Sequence, residues 1–129
     1  MKIIFHIGMP KTGTTSLQFF LSKNKKALLS QGIVYEPEIF HKQYRSLLPW
    51  DTVDHIPGSH HAFAYGFLHH PHEVARLLQE RISVYRNYHY YLISSEIMSI
   101  YFTTGHIKYL YKYLRGNDID VVIYLRRQD

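Results

Sequence analysis

Cysteine is absent from this 129-residue chain. That excludes a disulfide scaffold, a thiolate metal site and a cysteine nucleophile, and it suits a reducing compartment. Long apolar runs are missing too. No stretch approaches the roughly 20 residues that a bilayer-spanning helix needs. The apolar opening ends at Ile7, short of the about 7–15 residues at the centre of a secretory leader. A cytoplasmic protein without a membrane span is therefore expected. Charged residues are sparse, 19% against 46% hydrophobic, which excludes intrinsic disorder and collagen-like repeats. There are no internal repeats, low-complexity tracts or linkers. A chain of this length makes one domain, residues 1–129, whose core holds without staples.

Lys and Arg number 15 against 10 Asp and Glu, a net charge of +5 with histidine neutral. A modest positive excess suits a phosphate, a sulfate or an acidic sugar. Nucleic acid would satisfy the charge equally. However, the 12 tyrosines form no Lys/Arg-flanked RNA-binding signature and read as amphipathic packing, so no nucleic-acid partner is expected.

Apolar runs alternate with helical periodicities. Lys2 to Ile7 reads as a buried parallel strand ended by Gly8. A loop through Gly13 leads to a helix from about Thr14 to Ser30, with Leu17, Phe20, Leu21, Leu28 and Leu29 as its stripe and Gly32 as its stop. Ile33 to Tyr35 is a second strand closed by Pro37. Glu38 to His70 lacks a sustained period and reads as loop with one or two short helices, carrying a ligand-facing surface. A helix from Pro71 to about Tyr88 follows, with Val74, Leu77, Leu78 and Ile82 on one face. Tyr90 to Ser94 is the third strand. A helix from Thr104 to Arg115 then carries the stripe Ile107, Leu110, Tyr111 and Leu114, and Ile119 to Leu125 is the fourth strand. This order predicts an α/β domain: a P-loop-type parallel sheet of about four strands flanked by helices.

The segment Gly8-Met9-Pro10-Lys11-Thr12-Gly13-Thr14-Thr15-Ser16 joins the first strand to the first helix. That is the setting of a phosphate-binding loop. Glycines let the backbone wrap an anion, and the helix start presents unpaired N–H groups. Gly8 and Gly13 are spaced as in the nucleotide loop G-x-x-x-x-G-K-[ST], but Thr14 stands where that motif has lysine, and the lysine is Lys11. No carboxylate suited to Mg²⁺ ends a strand; Arg126 and Arg127 follow the fourth. A P-loop small-molecule kinase is thus the weaker alternative.

Pro10-Lys11-Thr12-Gly13-Thr14-Thr15-Ser16-Leu17 resembles the 5′-phosphosulfate loop of sulfotransferases that use 3′-phosphoadenosine 5′-phosphosulfate (PAPS). More narrowly, HIGMPKTGTTSLQ is similar to the opening of bacterial, polysaccharide-type members of that family. LISSE (Leu92 to Glu96) and YLRRQD (Tyr124 to Asp129) agree with it. The resemblance implies transfer of a sulfuryl group from PAPS to an acceptor hydroxyl, a saccharide for preference, without a metal. It implies that Lys11 stabilises the leaving phosphate and that Pro10, Lys11, Thr12, Gly13, Thr14, Thr15 and Ser16 hold the 5′ end of the nucleotide. Arg126, with Arg127 as the alternative, would hold the 3′-phosphate, since a guanidinium fork at a strand's end suits that anion. The family's next serine contact lies beyond Asp129. The chain is therefore expected to be an N-terminal portion of the family's full domain, and a PAPS-binding fragment without catalysis is the alternative reading. An uncovered sheet face would favour self-association.

The acceptor hydroxyl must lose a proton. Glu96, just past the third strand, is the candidate general base, or else a helix cap or ion-pair partner; His41, His60 and His61 are the alternatives. Ser94 and Ser95 either bind phosphate or end the strand. His69, His70 and His72 are clustered without the partners a metal site needs, so no metal is expected.

Overall fold

The computed structural model describes residues 1–8, 14–49 and 58–123. The strands are β1 (Lys2–His6), β2 (Ile33–Val34), β3 (Tyr90–Ser94) and β4 (Asp118–Val122). All are parallel, in the order β2-β3-β1-β4, with Phe5 beside Ile93 on one side and Val121 on the other. The helices are α1 (Thr14–Lys23), α2 (Lys25–Ser30), α3 (Pro37–Tyr44), α4 (His61–His69), α5 (Pro71–Val84), α6 (Ile97–Tyr101) and α7 (Thr104–Leu114). The domain is α/β with a four-stranded parallel sheet flanked by helices, as the alternation of patterns implies. No helix among the described residues is long and apolar enough to cross a membrane.

Side chains alternate across a strand. Ile3, Phe5, Tyr91 and Ile93 therefore share one face, and there they join Phe40, Phe63, Phe67, Val74, Leu78, Leu110 and Leu114 in the main core. Ile4, His6, Leu92 and Ser94 occupy the other face, which α1 approaches through Gln18. A buried ionic staple binds three elements together. Arg81 of α5 grips Glu36, beyond β2, through two bonds of 2.8 Å, and the Tyr91 hydroxyl of β3 donates to the same carboxylate at 2.7 Å.

Several boundaries differ from expectation, each for a local reason. The helix expected over Thr14 to Ser30 breaks at Asn24, whose side-chain amide donates to the Phe20 carbonyl at 2.7 Å and competes with helix continuation. Phe20 of the expected stripe is 58% exposed, and the inward positions of α1 are Gln18 and Leu21. The two short helices of the segment from Glu38 to His70 are α3 and α4, but their aromatic residues turn inward. Phe40, Tyr44, Phe63 and Phe67 lie in the core rather than on a ligand-facing surface. α4 is buried nearly all round, so it shows no stripe to read. Gly66 is part of its packing, because a Cβ there would meet the Tyr44 ring at 2.9 Å. α5 stops at Val84, before Tyr88, and α6 is an additional short helix. In α7, Leu110 and Leu114 are buried, whereas Ile107 and Tyr111 are 58% and 54% exposed.

Candidate active site

The chain leaves β1 through α1 on the His6 face of the sheet. It leaves β3 through α6 and α7 on the Phe5 face, where Leu110 and Leu114 pack. β1 and β3 are neighbours, so their carboxyl ends flank a topological switch point, where ligands bind in open parallel sheets. Gly8, the start of the phosphate-loop sequence, lies at this edge, and its carbonyl accepts from the Ser99 hydroxyl of α6 at 3.2 Å.

A polar network fills the edge. Gln18 of α1 donates from Nε2 to Ser94 Oγ at 3.0 Å and to Glu96 Oε2 at 3.1 Å. Ser94 Oγ also meets His6 Nδ1 at 2.7 Å. His61, the first residue of α4, lies with Nε2 3.5 Å from Glu96 Oε1 and Nδ1 2.8 Å from Ser95 Oγ. Ser95 Oγ accepts from the Ile97 amide at 3.2 Å, so its hydroxyl donates to His61 Nδ1 and the Nε2 proton faces Glu96. β1, α1, β3 and α4 thus each supply one side chain to a chain of bonds centred on Glu96.

Electrostatics set the protonation states. Burial raises the affinity of Glu96 for a proton. The hydrogen bond and charge of His61, with the amides of Glu96 itself and Gln18, outweigh that and hold its pKa at about 2. Glu96 is a standing carboxylate at neutral pH. Burial lowers the pKa of His6 against the opposing pull of Glu96, which favours the neutral ring beside Ser94. Burial drives His60 down to about 3, and the neighbouring His61 adds to the effect.

The candidates now sort themselves. Glu96 stands at the head of α6, yet its side chain makes no cap bond there; it is the hub of the network, its side chain 17% exposed and that of His61 19%. His60 is fully buried, accepts the Ser94 amide at Nδ1 (3.1 Å) and packs edge-on against Tyr35. It is a core residue rather than a base. His41 on α3 enters none of these bonds. Ser94 and Ser95 are fully buried and turn their hydroxyls inward, so they order histidines rather than contact a phosphate. Ser95, His61 and Glu96 have the connectivity of a hydrolytic triad, but a fully buried serine hydroxyl offers no attack on a substrate. Thr14 and Thr15 open α1 and Ser16 is exposed on it. Pro10, Lys11, Thr12, Gly13, Arg126 and Arg127 lie outside the described residues. Among the described residues no three His, Asp or Glu side chains converge as a metal site; His72 instead bonds the Tyr113 hydroxyl.

Two members of the network, Gln18 and His6, were not anticipated. Each is a polar residue at an inward position of an otherwise apolar pattern, and that is the signal that marks them. Compared with protein families, curated proteins and solved structures, the chain matches none.

Proposed function

We propose that this protein transfers a sulfuryl group from PAPS to an acceptor hydroxyl, a saccharide for preference, at the β1/β3 edge. The observation that carries the reading is the Gln18–Glu96–His61 network at the β1/β3 edge, where Gly8 also lies. The PKTGTTS sequence follows Gly8 and Met9, and in the proposed site it supplies the anion-binding groups beside the Glu96 carboxylate. In the reaction the bond between sulfur and the phosphate oxygen breaks, and a bond from sulfur to the acceptor oxygen forms. The acceptor proton leaves toward the Glu96–His61 pair, and adenosine 3′,5′-bisphosphate departs. Charge grows on the leaving phosphate, where the Lys11 ammonium and the amides from Thr12 to Ser16 stabilise it. Arg126 holds the 3′-phosphate.

Glu96 serves as the anionic member of the pair. A carboxylate held near 2 is in its basic form at every working pH but is a weak proton acceptor. Its larger effect is to orient and polarise the acceptor hydroxyl, whose proton it draws off as the sulfur–oxygen bond forms, with His61 holding the carboxylate through its Nε2 side. Gln18 fixes the carboxylate in place. The test is transfer of labelled sulfate from PAPS to a panel of saccharide and phenol acceptors. The wild-type chain should transfer label, and Glu96→Gln should lose most of the rate while binding the bisphosphate product unchanged. Binding without transfer by the wild type would leave a PAPS-holding module. Preference for Mg-ATP would overturn the reading in favour of a kinase.

A further inference from the structure

β4 is an edge strand. It pairs with β1 on one side and with no described strand on the other. The direction of its backbone groups follows from one bond: the Ile7 amide donates to the Val122 carbonyl at 3.0 Å. Val122 therefore turns its amide and carbonyl toward β1. By alternation Asp118 and Asp120 do too, and Ile119, Val121 and Ile123 turn theirs to the open edge. The same three residues share one sheet face, the one carrying Phe5. Val121 is 57% and Ile123 48% exposed. Ile119 and Val121 line an apolar groove of about 150 Å³ together with Phe5, Ile7, Leu110 and Tyr111.

An unpaired edge of this kind is a template for another strand. The usual guards are missing, since 118–123 contains no lysine, no proline and no bulge, and Asp120 is already paired with Lys2 at 3.1 Å. We infer that β4 pairs antiparallel with β4 of a second copy of this chain, across a two-fold axis at Val121. The aspartates select that register. A two-fold centred on Asp120 would also pair outward groups, Ile119 with Val121, but it would set two aspartates directly opposite each other. Centred on Val121, every outward group finds a partner: Val121 opposes Val121 of the second copy, and Ile119 opposes its Ile123. All are hydrogen-bonded pairs of the antiparallel pattern. Asp120 then faces Val122 of the second copy rather than another carboxylate.

The side chains agree with the backbone. Ile119, Val121 and Ile123 from each copy form one ladder of β-branched residues, the class that packs best across antiparallel strands. The ladder covers the β4 side of the groove rim and joins two four-stranded sheets into one. The contact is isologous, so it closes at a dimer and does not grow into a fibre.

Sedimentation velocity over a concentration series tests this. The wild-type chain should move from monomer to dimer and no further. Val121→Lys puts two ammonium groups against each other at the axis and should hold the chain monomeric with an unchanged circular dichroism spectrum, because the side chain is solvent-facing in one copy. Val121→Glu should do the same, and an equimolar mixture of the two variants should recover the dimer. A wild-type chain monomeric throughout, an open-ended series of oligomers, a dimer indifferent to Val121→Lys, or a mixture that stays monomeric would each overturn the proposal.

Discussion

The His60 ring is enclosed between Tyr35 and Phe40, and its Nδ1 already accepts the Ser94 amide. A second ring proton has no acceptor there, and burial holds the pKa at about 3 against 6.5 for a free histidine. The unfolded chain takes up that proton as pH falls below 6.5 and the folded chain does not, so stability falls with pH across this window. Each pH unit is worth about 1.4 kcal/mol. At about pH 5 the loss due to His60 is about 2 kcal/mol, rising to about 4 kcal/mol near pH 3, where the folded ring also begins to take up its proton. His6 and His41 are shifted in the same direction by burial and add to the slope. Glu96 starts to contribute only below 4.5, where its unfolded carboxyl protonates, so the range above that isolates the histidines. Urea unfolding at about pH 7.5 and about pH 5 measures the difference. His60→Asn keeps an acceptor near the Nδ1 position. That variant should be less stable at the higher pH, because it leaves a cavity, yet lose about 2 kcal/mol less than the wild type on acidification. An unchanged pH dependence in the variant would refute the reasoning.

Lys11→Ala should leave stability within about 0.5 kcal/mol of the wild type and cut sulfuryl transfer by about 10²–10³-fold, measured by denaturation and by labelled transfer; unchanged turnover would remove Lys11 from its role. Arg81→Met strips the partner from Glu36, which is 6% exposed. It should cost about 3 kcal/mol in urea unfolding, with much of that recovered by adding Glu36→Leu. Gly32 has φ +85° and a Cβ there would collide with the His89 ring. Gly32→Ala should therefore lower stability by at least about 1 kcal/mol, and His89→Ala in the same chain should return only the collision part.

The sheet was legible because its strands announce themselves. KIIFH, YYLIS and IDVV are short apolar runs between turn signals, and the alternation with helices implies parallel strands. Helices whose burial is one-sided, such as α5, were legible for the same reason. α4 was not: its sequence HAFAYGFLH is apolar on nearly every side and contains a glycine, so periodicity gives no face and composition suggests a breaker. Phe20 misled because periodicity assigns an apolar residue inward, while here Gln18 takes the buried position to reach Ser94 and Glu96. The place of Glu96 just past a strand, at the sheet edge, was legible. Its coupling to His61, 35 positions earlier in the chain, was not, because the two meet only through the packing of α4 beside β3. The isolated identity of a histidine also gives no hint of burial, which is what separates His60 from its neighbour His61.

On the proposed function, the β1/β3 edge of this chain receives the nucleotide of a sulfuryl donor. Calorimetric titration with adenosine 3′,5′-bisphosphate in the absence of metal, set against ATP with Mg²⁺, tests it most directly. The account predicts metal-independent binding of the bisphosphate that Lys11→Ala weakens by at least tenfold and that Val121→Lys, at the far sheet edge, leaves unchanged. No binding of the bisphosphate by the wild-type chain, or binding indifferent to Lys11→Ala, would contradict it.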